Sequence, residues 1–186
     1  MRGLALLAVV AGALAPAPWR LLDGGPAPRV NVNAACPALH LPADWDVRSQ
    51  VYADVTGDGV PECVLSVWRL WRDWPIARWS SRPTPITGNH DAAGFSSHVA
   101  LLRPQPGGAY VQLWVGSALF QPVTALTMGP GGELVTLETT YARGRQASSV
   151  ALSRWRWTGF GFQIERRVPA QARELGVTPA GQVAVR

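Results

Sequence analysis

Oxygen-bearing groups at alternate positions mark one short stretch, Asp54-Val-Thr56-Gly-Asp58-Gly-Val60-Pro-Glu62. Calcium takes six to eight oxygen ligands, and a tight acidic turn supplies them at this spacing. The carboxylates of Asp54 and Asp58, the hydroxyl of Thr56, the carbonyl of Val60 and the carboxylate of Glu62 form a candidate set for one calcium ion, with Gly59 permitting the bend. Thr56 stands where Asp or Asn is usual, which lowers the charge of the site. An EF-hand is excluded, because Leu65 occupies the position of the closing Glu and a strand pattern follows. The same residues also suit a metal-free Asx-type turn whose carboxylates accept local amides. Both readings stay open on sequence alone.

A second group pairs aromatic faces with guanidinium groups. Trp71, Arg72, Trp74 and Trp79 fall in an insertion over residues 69–95. Trp faces stack on sugars or bases, and Arg holds phosphate or carboxylate, so these four are the candidate ligand-binding residues. The plainer alternative is Arg stacked on Trp in a loop that covers a sheet edge. Catalytic chemistry has less to build on. His90-Asp91 is the one adjacent acid/base pair, and no Gly-x-Ser-x-Gly or His-Glu-x-x-His pattern occurs. A non-enzyme is therefore expected. The alternative is a small secreted hydrolase whose pocket the 69–95 insertion walls.

The elements that must position these groups read as short strands broken by Gly and Pro turns. Strands are expected at 51–55, 62–68, 97–102 and 110–115, and again at 123–127, 133–137, 149–153 and 160–164. In the last of these, Phe160, Phe162 and Ile164 alternate to one side. The two sets match as a repeat. Val99-Ala-Leu101 aligns with Val150-Ala-Leu152, and Arg103 with Arg154 at the same offset. The turn Asp58-Gly-Val-Pro-Glu62 corresponds to Gly129-Pro-Gly-Gly-Glu133, and Thr178-Pro-Ala-Gly-Gln182 is a truncated third copy. Each unit has an apolar face that only a neighbouring unit can bury.

The run Tyr52-Ala-Asp-Val-Thr-Gly-Asp-Gly-Val-Pro-Glu-Cys-Val-Leu-Ser66 resembles the Asp-rich turn and following strand of FG-GAP/VCBS-type repeats. Those repeats are blades of extracellular β-propellers, and many hold calcium in that turn. No Phe-Gly step precedes the turn here, and the later copies have lost its aspartates. The resemblance implies an all-β fold: two antiparallel four-stranded propeller-blade-like sheets plus a partial third unit, packed as a sandwich or an open propeller fragment. Fewer than three units fall short of the roughly four to eight blades that close a ring.

Met1-Arg2 followed by the apolar run to Ala15 reads as an export signal, with small residues favouring cleavage after Ala13. As a helix the run reaches about 20 Å, against about 30 Å for a bilayer core. Export gives meaning to the only two cysteines: Cys36 and Cys63 are expected to pair. The expected organisation is a signal over 1–13, a Pro-rich segment over 14–46 and a first unit over 47–117. A second unit over 118–168 and a partial third over 169–186 follow. Apolar residues at 47% exclude a disordered chain. The net charge of +5, carried wholly by Arg, permits an acidic partner. Without a recognised binding motif, nucleic acid is the weaker one. The expected role is an exported binding or structural module at the cell surface, facing an extracellular glycan or protein, with an oligomer allowed.

Overall fold

The computed structural model describes residues 17–26, 29–31, 34–71 and 88–186, so the expected export signal lies outside the described residues. The fold is all-β, in three antiparallel sheets. The first sheet runs β2 (Asp46–Ala53), β3 (Glu62–Leu70), β4 (Phe95–Pro104) and β5 (Tyr110–Val115) in sequential order. The second repeats that meander with β6 (Val123–Met128), β7 (Leu134–Glu138), β8 (Ala151–Trp157) and β9 (Phe162–Pro169). The third contains the C-terminal hairpin of β10 (Leu175–Val177) and β11 (Val183–Val185). Its third strand comes from the other end of the chain: β1 (Arg20–Leu21) pairs with β11. A C-terminal hairpin of three-residue strands is marginal by itself. The N-terminal strand gives that hairpin its third strand.

The hairpin turns bear out the internal repeat at backbone level. In the second unit the amide of Gly129 donates to the Glu133 carbonyl and that of Gly132 to the Gly129 carbonyl. In the third, Thr178 donates to Gln182 and Gly181 to Thr178 in the same pattern. Gly132 and Gly181 share a left-handed conformation, with φ of 76° and 81°, that glycine adopts without steric cost.

The β4/β8 alignment needs a correction. With the turns matched, Val64 corresponds to Val135; Val64 lies opposite Leu101, but Val135 lies opposite Arg154. Leu101 is therefore the counterpart of Arg154, not of Leu152. The bulges agree, since the register breaks after Leu101 in the first sheet and after Arg154 in the second. A two-residue shift keeps every side chain on its original face, so the apolar pattern could not reveal it.

Strand alternation decides how the sheets stack. On β3, Cys63, Leu65 and Val67 face one way and Val64 the other. Val64 packs with Val51, Val99 and Leu101 against Val123, Leu126 and Leu134 of the second sheet. The opposite face of that sheet, through Ala125, Val135, Leu137 and Leu152, packs against Val183 and Val185 of the third. Leu134 is the counterpart of Cys63, so each sheet offers the same face to the next and the other face to the one before. This front-to-back order layers the three sheets as a sandwich of successive, equivalently oriented units.

Front-to-back stacking leaves one face uncovered at each end of the series. The N-terminal segment covers both. Leu39, Leu41 and Trp45 lie on the back of the first sheet, where Cys36 is disulfide-bonded to Cys63, with Cα atoms 5.6 Å apart. At the other end Val30 and Trp19 lie over Gly176 of β10, so close that a Cβ there would overlap Val30. Among the described residues no helix is long and apolar enough to cross a membrane.

Candidate functional site

The acidic turn between β2 and β3 is closed by an arginine. Asp54 spends both carboxylate oxygens on backbone amides, accepting from Gly57 at 2.7 Å and Gly59 at 2.9 Å. Glu62 is fully buried; it accepts from the amides of Val55 and Thr56 and from the Thr56 hydroxyl. Arg103, reaching over from β4, donates through Nε to Glu62 at 3.1 Å and through Nη2 to Glu62, Asp58 and Thr56. The Val60 amide and then Arg103 hold the Asp58 carboxyl below its usual range, and the two carboxylates raise the Arg103 guanidinium. The side-chain oxygens of Asp54, Thr56, Asp58 and Glu62 thus serve amides and a guanidinium in this arrangement. In the second unit Glu133 is also paired with an arginine, but that arginine is Arg154, the counterpart of Leu101 and not of Arg103.

The described end of the insertion forms a latch between the first two sheets. Asp91 accepts through Oδ1 from the amides of Ala93 and Phe95, and through Oδ2 from Arg145 at 3.3 Å. Arg145, from the second unit, also donates to Asp46 at 3.1 Å and lies 4.1 Å from the Phe95 ring centroid. The His90 ring nitrogen Nδ1 sits 2.8 Å from the Asp91 carbonyl oxygen. His90 and Asp91 thus face away from a shared atom: the Asp carboxylate holds a turn and an inter-sheet ion pair. Trp71 extends β3, its amide donating to Gly94 and its ring packing against His90. Arg72, Trp74 and Trp79 lie outside the described residues.

Behind the latch, His98 is buried between Ser96 and the Gly116 carbonyl, with Nε2 2.7 Å from the Ser96 hydroxyl and Nδ1 2.9 Å from the carbonyl oxygen. Burial pushes its pKa from 6.5 to about 4. The Tyr141 hydroxyl donates to the Leu119 carbonyl and accepts from the Ser97 amide, and burial pushes its pKa up to about 12. Both groups are neutral and structural at ordinary pH. They fix residues 116–121, the loop that leaves β5.

That loop forms one wall of an aromatic cleft of about 280 Å³ at the outer edge of the first two sheets. Trp114, Leu119, Phe120, Trp155 and Phe162 line it, and Asn89 and Ser117 are its polar side chains. Trp114, Trp157 and Phe162 pack edge to face at centroid distances of 5.2 to 6.0 Å. Two glycines make room for this cluster: a Cβ on Gly116 would lie 2.6 Å from the Trp114 ring, and one on Gly161 3.2 Å. Phe120 remains 80% exposed. A second hollow on its other side runs along Leu119, Trp155 and Ile164 of β9. Sequence reading placed the candidate aromatics in the insertion and missed this group. The available signal is Trp155-Arg-Trp157 followed by Phe160-Gly-Phe162; of the expected alternating set Phe160, Phe162 and Ile164, Phe160 lies before β9 and is exposed. Comparison with protein-family models and with curated proteins gives no match.

Proposed function

We propose that this chain is an exported, non-catalytic β-repeat module, related in kind to FG-GAP/VCBS blades, that holds an apolar segment of a partner protein. The observation that carries this reading is the aromatic cleft beside exposed Phe120. Its composition favours a polypeptide over a glycan. Sugars need several placed polar groups beside a stacking face, and among the described residues Asn89 and Ser117 alone bring polar side chains other than Trp to the cleft. β9 borders both hollows and is the free edge of its sheet, so an extended segment can pair with its backbone while apolar side chains fill the hollows. Export is supported by the N-terminal apolar run and by the Cys36–Cys63 disulfide. In this reading Arg103 performs the closing role that calcium has in the repeats the turn resembles.

The test compares wild-type protein and Phe120→Asp on an immobilised nonapeptide library and on a glycan array. The expected result is enrichment of peptides with alternating aliphatic or aromatic residues, weakened about tenfold or more by the substitution, with an unchanged melting temperature. Selection of glycans, or peptide binding indifferent to Phe120→Asp, would reject the assignment. A concentration-dependent dimer abolished by Phe120→Asp would make a second copy of the chain the occupant instead.

A further inference from the structure

On the opposite face of the second sheet, two arginines sit directly across from each other. Arg154 of β8 and Arg166 of β9 are register partners, so their side chains leave the sheet on one face. Like charges in that relation repel. A third guanidinium approaches from the facing sheet, where Arg20 on β1 is the partner of Val185. All three line a groove of about 280 Å³ between the second and third sheets. Two carboxylates answer them: Glu133 accepts from Arg154, and Asp23 lines the groove. Arg20 spends one N–H on the Gln171 carbonyl at 2.9 Å, and no hydrogen bond or ion pair engages the Arg166 side chain among the described residues. The floor is apolar, with Leu22, Leu152, Val168 and Val185.

Three guanidinium groups thus line one groove over a greasy floor, with fewer carboxylates than arginines to answer them. We propose that this groove is a binding site for a small oxyanion carried on an apolar body, a carboxylate or a phosphate monoester. Arg166 and Arg20 grip the anion from the two sheets, and the hydrocarbon lies on Leu152 and Val168. Guanidinium forks suit both anions, because each offers two coplanar oxygens. The groove's volume sits at the small end for ligand pockets, which limits the body to a short chain or single ring. The site lies across the second sheet from the aromatic cleft and does not depend on what that cleft holds.

The experiment is titration calorimetry on the full mature chain with inorganic phosphate, hexyl phosphate and hexanoate, at ionic strength matched with chloride. Hexyl phosphate or hexanoate should bind saturably and more tightly than inorganic phosphate, and whichever of the two is tighter identifies the head group. Arg166→Gln and Arg20→Gln change exposed side chains; each should weaken binding about tenfold. Arg143→Gln, an exposed arginine outside the groove, should leave it unchanged. Absence of saturable binding by all three probes would overturn the proposal. So would binding that either groove substitution leaves intact, or that Arg143→Gln weakens equally.

Discussion

Glu62 and Arg103 illustrate how much one buried charge depends on its partner. Glu62 is shielded from water and Arg103 is about three-quarters covered, so solvent cannot replace either partner. Arg103→Leu is expected to lower the urea unfolding midpoint clearly, because it strands a buried carboxylate. Adding Glu62→Gln should recover part of that loss; a double variant as unstable as the single one would show that Arg103 acts through packing. Millimolar calcium should leave the wild-type melting temperature unchanged. His98 works through its neutral form. The unfolded chain takes up a proton near pH 6.5 that the folded protein refuses until about pH 4, so stability falls as pH drops through that window. The effect reaches roughly 3 kcal/mol at most. His98→Gln should flatten that part of the stability-pH curve, and an unchanged slope would place the acid sensitivity elsewhere. The acidic turn was readable because its residues lie within one short stretch. Arg103 was not readable as its partner, because it arrives from another strand and only the β3–β4 register brings it there.

At the level of elements, the strands expected from alternation and turn residues are present, with differences at their ends. β8 and β9 extend beyond their expected limits, to Trp157 and Pro169, because pairing with each other protects backbone groups that propensity alone would leave in a loop. β1 went unread as a strand: two residues carry no periodicity, and only β11 beside them makes a ladder. The disulfide was readable from the cysteine count and the export signal. What it fastens was not, for Cys63 belongs to the back of the first sheet and Cys36 to the segment lying on it. Cys36→Ser should lower stability by about 3.5 kcal/mol on chain-entropy grounds. In hydrogen exchange, the loss of protection should concentrate on residues 34–45 and β3. Uniform loss across all three sheets would mean that the bridge supports the whole fold.

Across the whole molecule, the N-terminal segment caps both ends of the stacked series of sheets. It completes the third sheet through β1, covers that sheet through Trp19 and Val30, and covers the first sheet through residues 36–45. Deleting residues up to 22 should therefore make the distant C-terminal hairpin at 175–185 sensitive to protease while strands β2 to β9 stay protected. Protection of that hairpin in the truncated chain would refute this dependence. The amino-acid sequence by itself determined the all-β class, the repeated unit, the disulfide partners and the acidic turn. Each of these is written in local alternation, turn chemistry or the count of a rare residue. Tertiary structure alone decided the front-to-back stacking, the arginine that closes the turn, the aromatic cleft and the arginine groove. Those features join residues far apart in the chain, and a period-two pattern says which side chains share a face without saying what that face meets.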